Sequence, residues 1–145
     1  MELLILYPVY FLLKCLAYVA WCYYGLRGLH KQSSIAAGIS YGFARVGLGI
    51  LFGTGILFLV NASHSGAPAH PWLLYVLVYA PIRYVEWSIM AALLGAKGSD
   101  AYRIGDATTQ RWIVQGIGVS YLADLPMILL YAASGSLLPV GRFLC

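Results

Sequence analysis

Five ionisable residues stand inside stretches of the chain that are otherwise apolar: Lys14, Arg45, Arg83, Glu86 and Asp124. Three cations and two carboxylates in such surroundings can take up a proton, hold an ion or a polar headgroup, or lock helices together by pairing. Arg83 and Glu86 belong to the stretch "APIRYVEWSIM" (80–90) and lie three residues apart, so on a helix they share one face. On membrane-insertion scales each charge at a helix centre costs about 2.5–3.5 kcal/mol. Ion pairs between the three cations and two anions offset much of that. Charges at membrane depth usually mark an ion, proton or substrate path. The competing explanation is plain: polar contacts between helices also fix their register.

No other group of residues offers comparable chemistry. His64 and His70 fall in a polar loop without an acidic neighbour, and His30 sits at a helix end, so all three read as solvated. Cys15 and Cys22 are two helical turns apart, roughly 10 Å along the axis, which is too far to bridge. Cys145 has no residues after it, as a prenylation motif would need. There is no CxxC, His-rich box, DDxxD-like cluster or Ser/His pairing. No catalytic set, metal site or cofactor is expected.

The elements that must position the five charges follow from composition. Of the 145 residues, 61% are hydrophobic and only 10% charged, and mean hydropathy is +0.80. Soluble domains carry roughly a quarter charged residues, so the chain reads as an all-α integral membrane protein. At about 20 residues per span, a single membrane domain, 1–145, accommodates four helices, near 3–26, 35–60, 72–94 and 112–133. The first is too long, and lacks the basic start, for a signal peptide. Basic residues in loops one and three are Arg27, Lys31, Lys97, Arg103 and Arg111, while the segment "NASHSGAPAHP" (61–71) has none. The positive-inside rule places loops one and three in the cytoplasm and both termini outside. Trp21, Tyr23, Tyr24, Trp72, Tyr75 and Trp112 lie near span ends, as amphipathic rings do. The net charge of +4 comes from scattered residues, with no basic run for a nucleic acid. The sequon at Asn61 lies too close to the membrane for modification.

Each of three spans shows a face of small or polar residues. In span two, Gly38, Gly42, Arg45, Gly49 and Gly53 follow one another by three or four residues and form one stripe. Glycines so spaced let another backbone approach. The partner is expected to be span four or span two of a second copy. Gly116, Ser120 and Asp124 line span four, and Tyr79, Arg83, Glu86 and Met90 line span three. With these faces turned inward, Asp124 is expected near Arg45, and Glu86 near Arg83 or Lys14. Pro126 and Pro81 each weaken the helix turn before them, close to a charged residue.

The stretch "RYVEW" (83–87) resembles the third helix of microbial rhodopsins, where an arginine precedes the carboxylate counter-ion by three residues and an aromatic follows. The outward N-terminus is also similar. The likeness spans five residues of 145. That family has seven helices and a retinal-bearing lysine in the last, whereas this chain has four spans and no lysine in its final one. Neither retinal nor light chemistry is assigned. The functional expectation is a small proton- or ion-linked transporter or channel using Asp124, Glu86, Arg83, Arg45 and Lys14. The alternative is an accessory or scaffold subunit of a larger membrane complex, and a lipid- or isoprenoid-directed enzyme ranks last. Expected partners are the lipid bilayer and either further copies of the chain or a membrane complex, with no nucleic acid. A multi-pass position in a bacterial or archaeal cytoplasmic membrane is expected.

Overall fold

A computed structural model describes residues 2–29, 34–62, 71–95 and 105–133. These form four α-helices: α1 (Glu2–Leu29), α2 (Ile35–Ala62), α3 (Pro71–Gly95) and α4 (Ala107–Ala133). Stretches of α1, α2 and α4 (Pro8–Arg27, Ile35–Ile56 and Ala107–Leu129) are long and apolar enough to cross a membrane. Helix α2 starts where Ser34 Oγ accepts from the Ala37 N–H at 3.0 Å, satisfying a donor that the first turn would leave unpaired. Helix α4 starts at Ala107, ahead of the boundary near Trp112 expected from hydropathy. Its start is set by Asp106, whose Oδ2 accepts from the Thr108 N–H at 3.1 Å. Arg111 therefore stands on a helix, exposed. The histidines His30, His64 and His70, the loop charges Lys31, Lys97, Asp100 and Arg103, and the tail with Arg142 and Cys145 lie outside the described residues.

The four helices close into a ring in which α1 packs on α2 and α4, and α3 packs on α2 and α4. The α1–α2 contact is the most extensive, and the α2–α3 contact the least. Helices α2 and α4 therefore stand across a diagonal. Within the chain, the stripe meets α1 at Gly38 and Gly42, where α4 had been the expected partner. Gly38, Gly42, Gly49 and Gly53 are all buried. A Cβ on Gly38 would lie 2.9 Å from Tyr23 Cβ, and one on Gly42 would lie 2.7 Å from Val19 Cα. Only glycine allows that approach, since the obstacle at Gly42 includes backbone.

The distribution of polarity is the reverse of a soluble protein's. Leu12, Leu16, Leu51, Phe58 and Leu122 all point outward and are more than half exposed, while Lys14, Arg45, Arg83, Glu86 and Asp124 are buried. Two aliphatic hydroxyls on the outer surface are tied to their own helix: Ser40 Oγ donates to the Ala36 carbonyl at 2.9 Å, and Thr54 Oγ1 to the Ile50 carbonyl at 2.8 Å. In lipid such internal bonds remove the cost of an unsatisfied polar group. The apolar interior divides in two. Tyr18, Cys22, Val46, Trp87, Met90 and Ile113 belong to a larger cluster, and Ile56 with Tyr79 forms a smaller one. Both cysteines of α1, Cys15 and Cys22, are free and buried, serving as small apolar filler.

The fit of α1 on α2 yields a paired prediction. Gly42→Ala forces apart two backbones and should lower stability by about 1–3 kcal/mol, the usual cost of overpacking. Gly47→Ala, at a site with nothing within 4 Å, should leave stability unchanged or raise it by up to about 1 kcal/mol through helix propensity. Denaturant titration in detergent, followed by circular dichroism, measures both. Equal responses would contradict the packing of α2 on α1.

Candidate functional site

The five charged side chains meet in the interior of the ring and arrange themselves in two groups. Asp124 on α4 holds the first. Lys14 Nζ on α1 donates to Asp124 Oδ1 at 2.8 Å, and Tyr10 Oη donates to the same oxygen at 2.5 Å. Lys14 Nζ also donates to Tyr10 Oη at 2.9 Å. Arg83 Nη2 on α3 donates to Asp124 Oδ2. One carboxylate thus accepts from three side chains on two helices, and both of its oxygens are engaged. The second group is a pair: Arg45 Nη2 on α2 donates to Glu86 Oε2 on α3 at 2.5 Å, and both side chains are 0% exposed.

Asp124 thus pairs with Lys14 and Arg83 and not, as expected, with Arg45; Glu86 is within electrostatic reach of Arg83 and Lys14 but takes its hydrogen bond from Arg45. The reason is the order of helices around the ring. Helix α4 adjoins α1 and α3, so Asp124 reaches their cations. Arg45, across the diagonal, takes its carboxylate from α3. Arg83 and Glu86 share a helix, yet each sends its side chain to a different neighbour.

Aromatic rings line the space between the groups. Arg45 Cζ lies 4.8 Å from the centroid of Tyr18 and 5.0 Å from that of Trp87. Arg83 Cζ lies 4.0 Å from the centroid of Tyr121. Lys14 Nζ lies 5.9 Å from the centroid of Tyr18, so one tyrosine ring neighbours cations of both groups. Such contacts are worth about 2 kcal/mol or more when desolvated. Trp87 is fixed by its Nε1 donating to Ser120 Oγ at 3.0 Å, while Ser120 Oγ donates to the Gly116 carbonyl at 3.0 Å. A Cβ on Gly116 would lie 2.7 Å from the Trp87 ring. Gly116, Ser120 and Asp124 therefore give α4 one continuous inward face: a seat for the indole, its hydrogen-bond acceptor and the shared carboxylate. The Trp87 ring also stands edge-to-face with Tyr18 and Trp112, centroids 5.8 and 5.1 Å apart.

Both arginines retain guanidinium nitrogens outside these hydrogen bonds, and the two groups differ at their carboxylates: both oxygens of Asp124 are engaged, but only one of Glu86. Arg45 Nε and Nη1, Glu86 Oε1 and the Tyr18 hydroxyl are buried with no hydrogen-bond partner among the described residues. The Asp124 carboxylate, with three donors, has the geometry of a fixed strut. The Arg45–Glu86 pair retains donors and an acceptor. Among the described residues no group of three His, Cys, Asp or Glu side chains could hold a metal ion.

Tyr10, Tyr18 and Tyr121 are not singled out by the sequence, and Trp87 enters there only as the aromatic that ends "RYVEW". A signal for two of them was present. Tyr10, Lys14, Tyr18 and Cys22 recur every four residues, the spacing of a single helix face, and all four are buried. On the outside, Leu13, Ala17, Val119, Leu122, Ala123 and Pro126 line an apolar groove of about 340 Å³ between α1 and α4. No tyrosine is among the described residues that line it.

Compared with known proteins, the chain matches no family model, and neither a curated protein nor a solved structure is found to be similar to it.

Removing one member of a buried ion pair leaves an uncompensated charge, which costs about 3–5 kcal/mol, whereas replacing both by apolar groups is often near neutral. Glu86→Gln should therefore destabilise the bundle strongly, and Arg45→Leu combined with Glu86→Leu much less than the two single changes added together. A double-mutant cycle of unfolding free energies in detergent measures the difference. Additive losses would mean that the pair does not form.

Proposed function

We propose that the chain is a four-span membrane protein whose buried charges bind an ion and carry it across the bilayer, as a small transporter or channel. In this reading α3 is the remaining span, loops one and three face the cytoplasm, and both termini face outward. The excess of Lys and Arg in loops one and three supports that orientation. The inversion of polarity, aliphatic outside and charged inside, supports the bilayer as solvent.

The single observation that carries the ion reading is the Arg45–Glu86 pair, fully buried with two donor nitrogens and one carboxylate oxygen unbonded among the described residues. A buried polar group without a partner costs about 1–3 kcal/mol, more when charged. A contact serving only as a strut would gain by being saturated, as Asp124 is. Asp124 accordingly holds α1, α3 and α4 in place, and Arg45 with Glu86 meets the ion. Helix α2 presents Gly47 and Gly55 with nothing within 4 Å, a surface suited to a further copy of the chain or to another subunit.

A second reading, an accessory or scaffold subunit, is favoured by one observation: each ion pair joins two different helices. Reconstitution separates the two. The purified chain in sealed vesicles should conduct or exchange an ion, read as a current or as a dye response. Glu86→Gln and Asp124→Asn should each reduce the rate at least about tenfold, the effect of some 1.4 kcal/mol at a barrier. Vesicles that stay impermeable to protons, alkali cations and halides alike, together with a stoichiometric partner on purification, would favour the scaffold.

A further inference from the structure

Counting the buried charges indicates which kind of ion suits them. Among the described residues, the buried charged side chains are Lys14, Arg45, Arg83, Glu86 and Asp124, an excess of one positive charge. The guanidinium groups cannot lose their protons in a protein. Lys14 Nζ forms an ion pair with Asp124 Oδ1 at 2.8 Å. A proton on Glu86 or a monovalent metal cation would raise the excess to two, and a divalent cation would raise it to three. A monovalent anion removes it.

The unused groups agree with the count. Arg45 is 0% exposed, and its Nε and Nη1 are donors without a partner among the described residues. Tyr18, whose ring lies 4.8 Å from Arg45 Cζ, has a buried hydroxyl in the same condition. Gly49, four residues beyond Arg45 on the same stripe, is buried and adds no side chain. Glu86 Oε1 is the one unbonded acceptor of the pair; with Oε2 held by Arg45, it sets a negative boundary that favours a small singly charged ligand over phosphate or sulfate.

We propose that Arg45, with Tyr18 beside it, forms a binding site for a compact monovalent anion, a halide or a small carboxylate. This rests on reading the buried charges as an ion site, and names the class of ion. Donation from guanidinium to an anion is a charge-assisted bond, stronger than a neutral one. The planar fork of arginine is not reproduced by lysine.

Chloride-35 NMR on the full chain in detergent tests the site without requiring transport. Chloride replaces gluconate at constant ionic strength, and line broadening is followed. Saturable broadening that bromide displaces is expected, weakened about tenfold or more in Arg45→Lys, which corresponds to 1.4 kcal/mol of binding. Wild-type protein should also unfold at a higher temperature in chloride than in gluconate, as ligand linkage requires. That second measurement holds even if the Arg45 variant does not fold. Displacement by acetate as well as bromide assigns a carboxylate, and displacement by bromide alone assigns a halide. No saturable broadening and identical unfolding temperatures overturn the anion site. If a proton or cation current persists in that case, the ion-transport reading stands and only the anion falls. Anion binding without any flux supports the site and removes transport.

Discussion

Charge held inside an oily bundle is the constraint on which the structure depends. Five ionisable side chains lie inward, while leucine, isoleucine, phenylalanine, valine and tyrosine side chains stand exposed on the outer surface. Water is not available to solvate them at that depth, so every helix must bring a compensating group to the others. This requirement sets the rotation of each helix about its axis. Helix α1 turns Tyr10, Lys14 and Tyr18 inward, α3 turns Arg83, Glu86 and Trp87 inward, and α4 turns Ser120 and Asp124 inward. The glycines of α2 then permit α1 to come close enough for the ring to close. Buried ion pairs are poor sources of net stability compared with apolar packing. Their value lies in specifying one arrangement of the helices.

The sequence was most informative where a single helix carries the whole signal. Long apolar segments revealed helices, because lipid allows little else to cross. Charges interrupting those segments were visible at once as the unusual residues. The repeat of Gly116, Ser120 and Asp124 every four residues requires only the geometry of one helix to be read as a face. The start of α4 was less accessible. Hydropathy rises only at Trp112, yet the backbone becomes helical at Ala107, because Asp106 caps it and capping is a local hydrogen bond that hydropathy does not record.

Relations between helices were not readable in the same way. Which cation meets which carboxylate depends on the order of helices around the ring, and depth along each helix does not encode that order. Arg45 and Asp124 occur at similar depth, which made them an attractive pair, but their helices stand across a diagonal. For the same reason the glycine stripe met α1 rather than α4. The aromatic contacts were hidden differently. Tyrosine is abundant here, and only the spacing through Lys14 separates Tyr10 and Tyr18 from tyrosines elsewhere. Trp87 takes its importance from Gly116 and Ser120, on another helix.

The central claim is that one carboxylate is a fixed strut and the other is part of a responsive site. Infrared difference spectroscopy of the purified protein addresses it directly, with Asp124→Asn and Glu86→Gln assigning the carboxylate bands. Exchange of gluconate for chloride should shift the Glu86 band, because its partner Arg45 gains a ligand, and should leave the Asp124 band in place. Two carboxylate bands indifferent to every ion offered would contradict the account and leave the buried charges as struts alone.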